Sequence, residues 1–223
     1  MIIGHRGACG LETENTLAAI KTGYLYADAV EIDLRLTKDH QLILHHDATL
    51  ERIYGIEKRI SQLTLPELKE LTKNEKHPIA SLEEALEIIG SRPVFLELKD
   101  NGSAEVLTNI LQNYPECLPT GIISYKKTEL SYITERALPY RIFFIPNKRN
   151  FLFSVSIAKR IKANGIIPHI SSIISPLHLY WARKAKLQVV IFPVNSIRTA
   201  RFLKRYIKNV ALETDFPNLL KNL

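Results

Sequence analysis

Only two cysteines, Cys9 and Cys117, occur among the 223 residues. They give no disulfide framework, which fits a reducing compartment. No apolar run approaches the roughly 18 residues that cross a bilayer. No signal-peptide pattern precedes the first strand-like run at Ile2, so the expected setting is cytoplasmic. No Gly-rich fingerprint follows that run, which argues against a dinucleotide-binding open sheet. Internal repeats and low-complexity segments are missing. No reader motif or aromatic interleaving accompanies the basic residues, so nucleic acid is not an expected partner. Acid is short relative to base: 23 Asp and Glu stand against 30 Lys and Arg, for a net charge of +7. That balance favours acidic partners such as phosphate esters or anionic lipid surfaces.

What is present is an alternation. Short apolar runs at 2–4, 29–33, 93–98, 120–124, 141–145, 165–169, 188–192 and 209–213 read as strands. Helical patterns lie between them at about 15–26, 81–89, 103–113, 127–136, 155–163, 176–185 and 196–206, with a short closing helix over 217–222. Glu14-Asn15-Thr16 offers a cap for the first helix. Ser81 with Glu84 makes a capping box. Eight strand–helix units in 223 residues predict one α/β domain, a TIM (β/α)8 barrel spanning 1–223. Residues 36–75 interrupt the alternation. They read as a small insertion after strand 2: a hairpin over 36–46, then short helices at 49–54 and 65–72.

Three runs end in chemistry. Ile2-Ile3-Gly4 ends in His5-Arg6-Gly7, Ala29 to Asp33 carries Glu31 and Asp33, and Pro93 to Leu96 ends in Glu97-Leu98-Lys99. A strand has period two, so Glu31 and Asp33 share a face, as do Glu97 and Lys99. Two carboxylates on one strand and a third on another suit a hard divalent cation, Mg2+ or Ca2+. The neighbouring His5-Arg6 pair suggests an anionic, phosphorylated substrate. Barrel active sites sit at the carboxyl ends of strands. There His169, Phe192 and Asn195 form a candidate substrate pocket, and Asp215 follows the last strand. The structural alternative is a buried ionic network joining Glu31 and Asp33 to Arg6 or Arg35. Cys9 lies near the site but with no base positioned for it.

In order and spacing, Gly4-His5-Arg6-Gly7, Glu14-Asn15-Thr16, Val30-Glu31-Ile32-Asp33, Thr37-Lys38-Asp39, His46-Asp47 and Glu97-Leu98-Lys99 resemble the glycerophosphodiester phosphodiesterase family. Val194-Asn195 and Thr214-Asp215-Phe216-Pro217 extend the resemblance towards the C-terminus. It implies a TIM barrel that hydrolyses small-molecule glycerophosphodiesters to glycerol phosphate and an alcohol with a divalent metal. It implies Glu31, Asp33 and Glu97 as metal ligands, His5 and His46 as the acid–base pair, and Arg6 and Lys99 as phosphate contacts. His45, on the opposite face of the chain from His46, is expected to pack. Three positions depart from the pattern. Thr13 stands where Pro is common, Phe192-Pro193 where Trp-Thr is usual, and Glu213 where a small apolar residue is usual.

Two imidazoles can serve as base and acid because their ordinary pKa lies near neutrality. The working assignment has His5 as base and His46 as acid, with the reverse left open. Two other functions compete. The first is a lysophospholipase D-type reaction at a membrane surface. It is suggested by Phe192-Pro193 and by the basic run Arg198, Arg201, Lys204, Arg205, Lys208, a possible peripheral membrane contact. The second is a non-catalytic phosphate-binding protein. That would be signalled by loss of a motif residue, and none is lost. Nothing in the sequence indicates an oligomeric state.

Overall fold

The structure, a computed structural model, describes residues 1–146, 151–172, 176–207 and 209–223. It opens with β1 (Ile2–Gly4), α1 (Leu17–Tyr26) and β2 (Ala29–Leu36). The insertion follows: β3 (Leu42–Leu44), β4 (Thr49–Leu50), α2 (Glu51–Tyr54), β5 (Ile56–Arg59) and α3 (Leu65–Thr72). Alternation resumes with α4 (Leu82–Ile89), β6 (Val94–Leu98), α5 (Ser103–Leu111), β7 (Gly121–Ser124), α6 (Lys127–Glu135) and β8 (Ile142–Phe144). It ends with α7 (Phe151–Arg160), β9 (Gly165–Ile166), α8 (Pro176–Lys184), β10 (Gln188–Ile191), α9 (Ile197–Tyr206), β11 (Ala211–Thr214) and α10 (Pro217–Leu220).

The parallel strands run β1-β11-β10-β9-β8-β7-β6-β2, and β2 pairs back with β1. The sheet therefore closes into an eight-stranded barrel, as the alternation predicted. β3 adds antiparallel to β2, with Leu36 opposite Leu42, and makes the expected hairpin. Thr16 caps α1 by accepting from the Ala19 amide. Ser81 and Glu84 form the expected capping box on α4.

Strand alternation divides the core in two. Ile3, Ala29, Phe95, Ile123, Phe143, Ile167, Val190 and Ala211 fill the barrel interior. Their strand neighbours, among them Ile2, Val30, Leu96 and Leu212, pack against the helices. Phe143 fills the lower interior, edge-on to Phe95 with ring centroids 5.4 Å apart. Gly121 and Gly165 make room for it, since a Cβ on either would lie 2.5 Å from a Phe143 ring carbon. Two residues further along the same strands, the inward positions become His5, Glu31, Glu97 and Glu213. The apolar layer thus forms the floor of a charged one.

The structure corrects several sequence expectations. Residues 49–54 are not one helix: Thr49–Leu50 pairs with β5, and only Glu51–Tyr54 is helical. Gly55, in the left-handed region at φ 67°, closes that turn. β5 is mostly charged and exposed, so it lacked the apolar alternation that marks a strand. The insertion also runs beyond 75, since the Ala80 carbonyl still accepts from Leu44. The run at 165–169 is a strand only to Ile166. Pro168 has no N–H for a ladder, and His169 retains one bridge, to Phe192. α7 begins earlier than expected and ends by Arg160, before Lys162 turns left-handed at φ 56°. Lys208 lies outside the described residues.

Candidate active site

The charged layer is built by register. Asp33 of β2 is paired with Glu97 of β6, and Ile3 of β1 lies between Ala29 and Glu213. Period two then aims His5, Glu31, Asp33, Glu97, Lys99 and Glu213 into one cup. Glu31, Asp33, Glu97 and Lys99 are all buried.

Glu31, Asp33 and Glu97 bring carboxylate oxygens within 4.8 Å of one another. Glu31 Oε2 accepts the Arg6 backbone N–H at 2.9 Å, while Oε1 is buried with no hydrogen-bond partner. A buried anionic oxygen without a donor is costly unless a cation meets it. Oxygen donors alone, three of them carboxylates, form the set that Mg2+ or Ca2+ prefers. The site therefore fits a hard divalent ion.

The cations predicted to meet phosphate already face carboxylates. Lys99 Nζ lies 2.8 Å from Asp33 Oδ1 and 2.6 Å from Glu97 Oε1. Arg6 donates to Glu14 at 2.8 Å, and its Nε is 3.2 Å from Asp33 Oδ2 without hydrogen-bond geometry. Asn15 holds Asp33 from both sides, donating to Oδ2 at 2.8 Å and accepting the Asp33 amide at 2.9 Å. Burial would raise Asp33, but Lys99 and Arg6 hold it well below the usual carboxylate range. Glu97 shares Lys99 and lacks the rest of that support, and burial pushes it up to about 7. Burial and the Asp33 charge hold Glu31 well above its ordinary value. The alternative Asp33–Arg6 ion pair is therefore real, whereas Arg35 goes elsewhere. Arg35 donates to Asp100 and to the His46 carbonyl.

His5 follows β1, where Arg6 at φ 50° and Gly7 at φ 86° turn the chain sharply. Its Nδ1 lies 2.6 Å from Asp215 Oδ1. Asn195 donates to Asp215 Oδ2, while its own Oδ1 accepts from Thr214 Oγ1 and the Asp215 amide. The Cys9 thiol donates to Asp215 Oδ1 at 3.1 Å, so it sits beside the His5–Asp215 pair. Burial pushes that thiol up, which disfavours a nucleophilic thiolate. Burial alone would lower His5, but Asp215, Cys9, Glu213 and Glu31 together hold it well above its usual value. Phe192 lies beside His5 at 6.2 Å between centroids and meets the His169 ring edge-on at 5.4 Å. His169 Nδ1 also contacts Ser171 Oγ at 2.6 Å.

His46 comes from the insertion. Its Nδ1 lies 2.8 Å from Asp47 Oδ1. Arg52 bonds the other Asp47 oxygen and reaches both oxygens of Glu14 at 2.7 and 2.8 Å. Glu14 in turn holds Arg6, so one chain of charges runs from His46 to Asp33. Burial, with the Lys99 and Arg6 charges, lowers His46 despite Asp33 and Asp47. His45 packs as expected, buried and stacked on Tyr54. The supporting roles of Asp215, Asn15, Asp47 and Arg52 were not assigned from sequence. The first three lie inside recognised motifs, whereas no motif marks Arg52.

The closed α/β barrel thus gathers carboxylates, two aspartate-held histidines, buried Lys99 and half-buried Arg6 on one rim, a set suited to phosphoryl chemistry. The sequence matches the Glycerophosphoryl diester phosphodiesterase family over residues 5–219, and the chain belongs to that family. It is 34% identical over 129 residues to a glycerophosphodiester phosphodiesterase of Caldanaerobacter subterraneus subsp. tengcongensis. That match covers 51% of this chain and 53% of the relative, so the chain spans about half the length of that curated protein. It is 40% identical over 67 residues to lysophospholipase D GDPD1 of Rattus norvegicus, across 30% of this chain and 21% of that one. The fold resembles an Oleispira antarctica phosphodiesterase solved with the product sn-glycerol-3-phosphate: TM-score 0.87, 22% identity, 99% of this chain and 94% of that one. A Thermotoga maritima glycerophosphodiester phosphodiesterase gives TM-score 0.83 at 23% identity, over 98% and 96%.

Proposed function

We propose that this chain, working as one barrel domain, hydrolyses glycerophosphodiesters to glycerol 3-phosphate and an alcohol with a divalent cation. The observation that carries the reading is the orphaned Glu31 Oε1 within the Glu31–Asp33–Glu97 cluster, beside His5. Those three carboxylates would hold Mg2+ or Ca2+. When bound, such an ion polarises the phosphoryl group and spreads its negative charge. Family membership and the fold of the product-bound Oleispira protein support the substrate class.

The chain's own groups supply the rest. Arg6 and Lys99 direct positive charge into the cup and would meet non-bridging phosphate oxygens. Asp215 and Asp47 fix the tautomers of His5 and His46, leaving each Nε2 for proton transfer. One imidazole takes a proton from the attacking water, or from a substrate hydroxyl whose cyclic phosphate water then opens, as the new P–O bond forms. The other gives a proton to the departing alkoxide as the old P–O bond breaks. Each transfer is typically worth roughly 10²- to 10⁴-fold in rate. Phe192, backed by His169, offers an apolar wall for the glycerol or alcohol carbons. Asn195 acts on the same pocket by holding Asp215. The free thiols of Cys9 and Cys117 support a cytoplasmic setting.

The test is release of glycerol 3-phosphate from glycerophosphocholine and glycerophosphoethanolamine, with Mg2+, with Ca2+ and with chelator. Release that needs metal is expected and is lost in Glu31→Ala and His5→Ala. Full activity in either variant, or in chelator, refutes the reading.

A surface feature supports a second reading, a lysophospholipid taken from a membrane. α9 buries Ala200 and Leu203 and exposes Phe202 (61%) and Tyr206 (65%), whose rings lie 4.7 Å apart. Arg198, Arg201 and Arg205 share that exposed face. α8 also exposes Tyr180 and Trp181. Aromatic rings among arginines suit an anionic interface. Among the described residues no helix is long and apolar enough to cross a membrane. Faster release of choline from lysophosphatidylcholine than from glycerophosphocholine would favour this reading. The reverse order would exclude it.

A further inference from the structure

Glu213 is the departure that the family pattern leaves unexplained, and the structure gives it a setting. It is the inward residue of β11, two positions above Ala211 of the apolar floor, and only 4% exposed. An apolar side chain there would extend the floor at no electrostatic cost. A carboxylate there is expensive unless a cation meets it. The cup then holds four buried carboxylates, Glu31, Asp33, Glu97 and Glu213.

The positive charge is not shared evenly among them. Lys99 lies between Asp33 and Glu97 and satisfies both. On the other side, Glu213 Oε1 is 3.6 Å from His5 Nε2, too long for a good hydrogen bond. The ligand atoms of His5, Glu31 and Glu213 also lie within 4.8 Å of one another. Glu31 belongs to both clusters. Its Oε1, buried and without a partner, is an independent observation that leaves an acceptor free to meet a cation there.

We propose that Glu213 is an additional ligand of the active-site cation, so that the ion is held between Glu31 and Glu213, on the side that Lys99 does not serve. This rests on the reading of the cup as a cation site. Ligand count and ligand charge tune the affinity of oxygen sites for Ca2+. A fourth carboxylate therefore strengthens binding of a hard ion and compensates for the ammonium that occupies the Asp33–Glu97 gap.

The experiment measures binding rather than turnover. Ca2+ is titrated calorimetrically into the metal-free protein and into Glu213→Gln, Glu213→Leu and Glu31→Gln, and Mn2+ binding is followed by electron paramagnetic resonance. Circular dichroism checks that each variant is folded. Both Glu213 variants are expected to bind at least about tenfold more weakly, about 1.4 kcal/mol, and Glu31→Gln more weakly still. Glu213→Gln is nearly isosteric, so it remains the deciding variant if Glu213→Leu does not fold. Wild-type affinity in Glu213→Gln, even with slowed turnover, overturns the inference and leaves Glu213 as a neighbour of His5 only. Failure of the wild-type protein to bind either ion overturns both the inference and the cation reading beneath it.

Discussion

His5 and His46 each present Nδ1 to an aspartate, but the two aspartates are anchored in different ways. Asp215 follows barrel strand β11; Asn195 donates to its carboxylate and accepts from its amide, and the Cys9 thiol donates to it. Asp47 belongs to the insertion and is held by Arg52, which spans to Glu14 on the first barrel loop. The His5 side chain is 16% exposed and the His46 side chain 34%. The first histidine lies among carboxylates that push it up against its burial, while burial, helped by the Lys99 and Arg6 charges, pushes the second down. One device, a carboxylate fixing an imidazole, thus yields two rings whose proton affinities are shifted in opposite directions. The barrel holds the His5 ring by contacts at the end of its own strands. The insertion provides a ring whose position depends on ion pairs at the surface.

The largest break in this comparison comes from the barrel side. Asp215→Asn keeps the size of the side chain but removes the charge that orients His5. The expected loss in kcat is about 10³-fold, within the range for a general acid or base, with melting temperature near that of the wild type. A loss below tenfold would show that His5 does not depend on Asp215. Arg52→Ala tests the insertion side and is expected to cost about tenfold in kcat/KM. Salt sharpens the contrast, because exposed pairs are screened over about 3 Å at 1 M ionic strength. Wild-type activity should drop towards that of Arg52→Ala as salt rises. The activity ratio of Asp215→Asn to wild type should not fall further.

The barrel side was also the more legible in sequence. Runs such as Ala29–Asp33 and Pro93–Leu98 carry both the strand signal and the site, since an inward strand-end position fixes fold and chemistry together. Asp215 was visible as a strand-end acid, but its bond to His5 spans 210 residues and follows only from closure of the barrel. The insertion was harder to read. β4 and β5 are two and four residues long, and β5 is mostly charged, so neither period nor hydrophobicity marks them. Arg52 falls within the run read as a helix over 49–54, and nothing local links it to Glu14. Lys99 was read as facing phosphate. The sequence could not show that Asp33 and Glu97, paired across two strands, place it between them.

The smallest expected effect concerns how firmly the insertion is closed. His45 is buried, its Nε2–H donates to the Thr49 carbonyl at 3.0 Å, and its ring stacks on Tyr54. Burial lowers its pKa below the ordinary value near 6.5. The folded form therefore binds a proton less readily than the opened form. Its stability is fully present above about pH 6.5, the unfolded value, and is lost as pH falls from there towards the folded pKa. His46, also lowered, acts in the same sense. Hydrogen exchange across 45–60, corrected for intrinsic rates, should show less protection at pH 5.5 than at pH 7.5. The buried strands β6 and β7 should not change. His45→Phe, which keeps the packing, should remove most of the difference. Equal protection at both pH values in the wild type would mean that protonation of neither His45 nor His46 sets the closure of the insertion.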